Sequence, residues 1–151
     1  GPLGSDEAQA VALLGAHPVL GRLRALLTDD DEPLYLVGGA VRDALRGADP
    51  LDLDVAGVGA IDLARRFAEA HRAHVVMLHD LPATARVPVH IPRSDRARVV
   101  DFCALRAPSI EADLAARDFT INSLAMELRE LRFLDPTGGV ADLRAGIVRA
   151  V

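Results

Sequence analysis

The stretch over residues 34–56 constrains the fold most. Leu34-Tyr35-Leu36-Val37 follows Pro33 and is apolar or aromatic throughout, as a short buried strand should be. It ends in Gly38-Gly39. From Ala40 to Leu45 the residues favour a helix, and Gly47 is a natural stop. Leu51-Asp52-Leu53-Asp54-Val55-Ala56 then alternates apolar and acidic residues, the pattern of a half-buried strand. Strand, tight turn, helix and strand in so short a span belong to a sheet with a helix packed on it.

Each half of this unit has its own chemistry. Glycine adopts positive φ and leaves no Cβ in the way of a ligand, so Gly38 and Gly39 suit a close backbone approach. A helix that starts there directs unpaired N–H groups and a positive dipole end at the turn, where polyphosphate is a natural occupant. Arg42, one turn in, is placed to fork onto phosphate oxygens. An ordinary tight turn would use the same glycines. The spacing is neither a Walker loop nor G-x-G-x-x-G, so those mechanisms are not implied. In a strand, residues two apart share a face, which puts the Asp52 and Asp54 carboxylates together and Leu51, Leu53 and Val55 opposite. Two like charges side by side are stable with a cation between them or in open solvent. Mg²⁺ takes one or two carboxylates together with substrate phosphates.

The chain has 151 residues, enough for one domain with a real core. Half of them are apolar but only 3% are aromatic, so the core must be mostly Ala, Leu and Val. Residues 1–5, Gly-Pro-Leu-Gly-Ser, read as a protease-cleavage scar from a fusion tag, followed by a helical segment over 6–33. The net charge of −5 argues against this piece gripping a nucleic-acid backbone by itself. Cys103, the single cysteine, lies in an apolar run and reads as a buried structural thiol. No stretch reaches membrane-spanning length and no signal sequence is present, so a soluble cytoplasmic protein is expected. Helices are predicted over 6–14, 18–27, 61–72, 110–116, 121–126 and 140–144. Strands are predicted over 75–78, 83–89 and 98–105, joined by connections too short for helical crossovers and therefore antiparallel. Residues 127–134 read as a small hairpin or a strand. The fold class is α/β (α+β), a mixed, largely antiparallel sheet flanked by helices.

A two-metal site needs a third carboxylate near the pair. Asp101 in Val99-Val100-Asp101-Phe102-Cys103 is the candidate, because a lone acid in an apolar strand is costly unless paired or metal-bound. Its alternative is an ion pair with Arg98 or Arg106. Arg117-Asp118-Phe119-Thr120-Ile121-Asn122 is a second dense cluster. Asp118 or Thr120 would cap a helix there, Arg117 would reach phosphate, and Asn122 would bond a sugar hydroxyl or a phosphate. A capped helix with an exposed arginine is the plainer alternative.

Taken in order, Leu36-Val37-Gly38-Gly39-Ala40-Val41-Arg42-Asp43, Asp52-x-Asp54, the 117–122 cluster and Asp135-Pro136-Thr137-Gly138-Gly139 carry a resemblance. Over residues 34–151 the chain resembles the catalytic head domain of bacterial tRNA nucleotidyltransferases and poly(A) polymerases, in the polymerase-β nucleotidyltransferase superfamily. The resemblance implies that Gly38 and Gly39 wrap a triphosphate, that Arg42 contacts it and that Asp43 braces the turn. It implies that Asp52 and Asp54 hold two Mg²⁺ ions, that Asp101 completes the site, and that Arg117, Asp118 and Asn122 hold the nucleotide's phosphates and ribose. The implied reaction is attack by an RNA 3′-hydroxyl on the α-phosphate of CTP or ATP, with tRNA as acceptor. Three departures accompany it. Ala116 stands where many members carry a second arginine, only residues 106–112 bridge to the 117–122 cluster, and the chain stops near Val151, before the neck that reads the base. An isolated head is therefore expected to be weakly active or inactive. The rival expectations are a poly(A) polymerase head, a non-catalytic nucleotide-binding module, or a transferase with another acceptor.

Overall fold

The computed structural model describes residues 5–80, 83–90, 98–105, 109–115, 124–135, 138–146 and 148–150. The elements in chain order are α1 (Ser5–Gly15), α2 (Pro18–Ala25), β1 (Tyr35–Val37), α3 (Gly39–Leu45), β2 (Leu53–Ala56), α4 (Ala60–Ala70), β3 (Val76–Asp80), β4 (Ala83–Val89), β5 (Arg98–Cys103), α5 (Ile110–Ala115), β6 (Ala125–Glu127), β7 (Arg132–Leu134) and α6 (Gly139–Ala145). The strands form one seven-stranded sheet in the order β3-β4-β5-β2-β1-β6-β7. The β2–β5 pair is parallel and the other five pairs are antiparallel. The expected mixed, mostly antiparallel sheet with helices is what the chain builds.

Alternation decides what each face of the sheet carries. On one face Leu36, Leu53, Val55, Ala85, Val87, Val100, Phe102 and Met126 are fully or almost fully buried and merge with apolar residues of α1 to α4 into the main core. On the other face Val37, Ala56 and Ala125 pack with Ile110 and Leu114 of α5 into a smaller core. That second core covers only one end of its face. Beyond it the outward residues of β2 and β5 are Asp54 and Asp101. No helix is long and apolar enough to cross a membrane among the described residues.

Three sequence expectations are corrected. Residues 124–126 do not continue a helix. Ala125–Glu127 is strand β6, which pairs Met126 with Leu36 of β1 and makes a hairpin with β7. The sheet wins over helical propensity here because Met126 is fully buried in the main core from its place beside β1; residues 121–123 lie outside the described residues. The second correction concerns β2, which begins at Leu53. Asp52 therefore precedes the strand instead of sharing its pleat with Asp54. Cys103 is only partly buried; it receives a hydrogen bond from Thr84 Oγ1 at 3.5 Å and donates to its neighbour's carbonyl, Ala104 O, at 3.2 Å.

Candidate active site

The parallel pairing of β2 with β5 sets Asp54 directly opposite Asp101. Both point away from the main core, because Leu53 and Val55 on β2, and Val100 and Phe102 on β5, are buried on the other side. Strand β1 brings Val37 opposite Asp54, so the turn that follows Val37 stands over the same acid. Gly38 has φ 73° and ψ −143°, a backbone conformation that a side chain disfavours. A Cβ at Gly38 would lie 3.5 Å from Asp54 Oδ2, so the bare glycine faces the carboxylate. The structure thus brings Asp54, Asp101 and the Gly38 turn together.

Other features hold this centre in place. Val99 N–H donates to Asp52 Oδ1 at 3.2 Å, fastening Asp52 to the start of β5 although it lies outside β2. The loop just before it is held by His17, which is 2% exposed. His17 Nε2 lies 2.9 Å from Pro50 O and 2.8 Å from Arg98 Nη1, and its Nδ1 accepts from Leu20 N–H to cap α2. Arg98 also reaches Asp49, at 3.6 Å. Arg98 is therefore spent on the loop and is not the partner of Asp101.

That partner is Arg86 on β4. Its Nε and Nη2 donate to the two carboxylate oxygens of Asp101 at 2.8 and 3.0 Å, a bidentate fork across the β4–β5 register. The hydrogen bond to Asp101, and then its charge with those of Asp52 and Asp54, raise the Arg86 pKa above the ordinary guanidinium value. Sequence reasoning missed Arg86. The available signal was the alternation Ala85-Arg86-Val87, which puts Arg86 on the outward face, but its register against Asp101 is not written in the sequence. On the turn itself, Arg42 Nε and Nη2 each lie 3.3 Å from Asp43 Oδ1, and the guanidinium folds back towards Gly39.

The donor chemistry fits Mg²⁺ in part. Asp54 presents exposed hard oxygens beside the Gly38 turn, and Mg²⁺ is commonly completed by substrate phosphates. Among the described residues no three acids, histidines or cysteines gather closely enough to form a finished metal cage. Arg117, Asp118 and Asn122 lie outside the described residues, as does Arg106. Asp135 Oδ1 accepts from Gly139 N–H at 2.6 Å, bracing the start of α6.

The fold is that of a nucleotidyltransferase head. Over 94% of its length the chain matches 35% of the Thermotoga maritima CCA-adding enzyme complexed with tRNA, with a TM-score of 0.76 and 32% identity. Over 95% of its length it matches 36% of a CCA-adding enzyme in complex with CTP, with a TM-score of 0.76 and 29% identity. The chain belongs to the Poly A polymerase head domain family, whose sequence profile matches residues 34–149. It is 41% identical to the CC-adding tRNA nucleotidyltransferase of Synechocystis over 119 residues, which are 77% of this chain and 27% of that protein. It is also 41% identical to the multifunctional CCA protein of Xanthomonas oryzae over 126 residues, 78% of this chain and 30% of that protein. The chain thus spans less than a third of the length of these curated relatives.

Proposed function

We propose that this head transfers CMP or AMP from CTP or ATP to the 3′ end of tRNA, in synthesis or repair of the CCA end. The observation that carries the reading is the register that puts Asp54 opposite Asp101 and against the Gly38 turn. Its support in the comparisons is the solved relatives described with tRNA, with CTP, and with a primer tRNA and an ATP analogue.

In this reading Asp52 and Asp54 hold two Mg²⁺ ions with the triphosphate, and Asp101 joins them once Arg86 lets go of it. The bound ions would lower the pKa of the attacking hydroxyl and neutralise charge on the leaving phosphates. The chain's own residues do the rest. Gly38 and Gly39 let backbone N–H groups approach the phosphates, and Arg42 swings from Asp43 to a phosphate oxygen. Asp43 then braces the turn. Arg117, Asp118 and Asn122 orient the nucleotide's phosphates and ribose. Val99 N–H keeps one lone pair of Asp52 occupied, so the carboxylate is aimed before ligand arrives. Asp101 takes part in presenting the 3′-hydroxyl. In-line geometry follows from holding both reactants on one face of the sheet.

A second reading, a nucleotide-binding module without catalysis, has one observation in its favour: the Arg86 fork already satisfies Asp101 without any metal. The deciding experiment incubates this chain with labelled CTP or ATP, Mg²⁺, and tRNAs ending before, within and after CCA. We expect Mg²⁺-dependent triphosphate binding and slow labelling confined to the incomplete tRNAs, lost in Asp54→Ala. Binding without any labelling fits the module and equally a head that needs its neck; labelling once a relative's neck is joined to the chain decides for catalysis. Labelling that survives Asp54→Ala, or no triphosphate binding at all, contradicts the assignment.

A further inference from the structure

Three of the chain's five histidines meet at one cleft outside the acid site. It has a volume of about 400 Å³ and lies where the end of α4 faces the end of β4 and the start of β5. His71, Arg72, His74 and His90 supply its polar groups, Pro88 and Val89 give it an apolar bed, and Arg98, tied to His17 and Asp49, forms a wall. No acid lines it among the described residues, although the chain as a whole carries a net charge of −5. Positive and N–H-donating groups have been concentrated at one point of an acidic domain.

Arg72 makes this more than a coincidence of composition. α4 ends at Ala70 with His71 as its C-cap, and the chain reverses with Ala73 N–H bonded to Ala68 O at 2.9 Å. The residue at the reversal adopts the left-handed conformation, and glycine is the ordinary occupant because a Cβ is disfavoured there. Here it is Arg72, with φ 53°. Its side chain is exposed and has no ion pair or hydrogen bond among the described residues. A strained arginine without a structural partner points to a ligand. Beside it, the His71 ring packs edge-on against Phe67, with centroids 4.6 Å apart.

Arg98 lines the cleft from the main-core face of β5, the next residue holds Asp52, and Asp101 stands on the opposite face three residues beyond Arg98, about 10 Å along the strand. We propose that the cleft binds a backbone phosphate of the single-stranded RNA whose 3′ end reaches the acids, with Arg72 as the ionic contact, His74 and His90 as N–H donors, and Pro88 and Val89 beneath the adjoining nucleotide. Single-stranded RNA is held in this manner elsewhere, by cations on its backbone and flat or apolar surfaces under its bases. The proposal rests on RNA being the acceptor.

The test follows the imidazole proton signals of this chain by NMR without metal or triphosphate, so it is independent of catalysis. The titrants are a single-stranded oligoribonucleotide of about six nucleotides and, separately, inorganic pyrophosphate. The oligonucleotide should shift the signals of His71, His74 and His90 saturably. Arg72→Gly should weaken binding several-fold and flatten its salt dependence by about one phosphate contact. It should leave the melting temperature unchanged or raise it, because glycine suits the left-handed position. His74→Ala with His90→Ala should weaken binding without altering the salt slope as much. Asp54→Ala should leave the cleft signals and their titration unchanged; failed transfer with intact cleft binding would count against the catalytic reading and not against this one. Unshifted signals, an Arg72→Gly chain that binds as well as the parent, or pyrophosphate binding as tightly as the oligonucleotide would each overturn the proposal.

Discussion

Strands β2 and β5 have opposite chemistry on their two faces. Towards α1 to α4 they present Leu53, Val55, Val100 and Phe102, all at most 1% exposed. Towards the other side they present Asp54, which is exposed, and opposite it Asp101, partly exposed and held by the Arg86 fork. The same pleat therefore separates the residues that keep the domain folded from those assigned to its chemistry. Changes on the packed face should cost stability whatever they do to activity. Changes on the open face should remove function and leave the fold standing, because each acid there adds like charge and no packing.

The largest expected effect is on the packed face. Phe102 is fully buried and its ring lies 6.1 Å from that of Phe67. Phe102→Ala should cost about 3–5 kcal/mol in denaturant unfolding, a large part of a typical domain's stability. A loss under about 1 kcal/mol would show that the packed face is not where this fold gets its stability. Gly38 sits at the junction of the two faces and sharpens the comparison. Gly38→Ala forces a side chain into φ 73°, ψ −143°, which should cost about 1–3 kcal/mol and also weaken triphosphate binding. An unchanged affinity in that variant would remove the turn from the ligand site.

Legibility follows the same division. The alternation in residues 51–56 turned Asp54 outward, and a lone acid in the apolar run around residues 99–103 singled out Asp101, so the candidate acids were visible in the sequence. Register was not. The sequence named Arg98 or Arg106 as the alternative partner for Asp101, whereas the β4–β5 pairing supplies Arg86. Nor could local pattern tell that residues 125–127 extend the sheet, since Leu124-Ala125-Met126 favours a helix until β1 offers an edge. His17 was equally silent. Its role depends on Pro50 and Arg98, which are distant in the chain.

The smallest effect lies far from the site and depends on pH. Arg66 Nη2 donates to Asp31 Oδ1 at 2.8 Å, strapping α4 to the segment that leads into β1. That hydrogen bond holds the Asp31 carboxyl below its usual 3.8, partly offset by burial. A depressed folded pKa means the stabilisation is present above pH 3.8 and is lost as pH falls through the lowered value. Arg66→Met should therefore cost about 1 kcal/mol or less at neutral pH. The pH-dependent part of that gap should close in acid. A gap that widened on acidification would contradict the strap.

The most direct test of the central claim is a titration of this chain with Mg²⁺ in the presence of CTP, followed by calorimetry, beside Asp54→Asn. The account predicts saturable binding of Mg²⁺ and nucleotide together in the parent chain, and its loss in Asp54→Asn with the melting temperature unchanged or higher. Equal binding in the two proteins, or loss of binding together with loss of the fold, would contradict the division of labour between the two faces of the sheet.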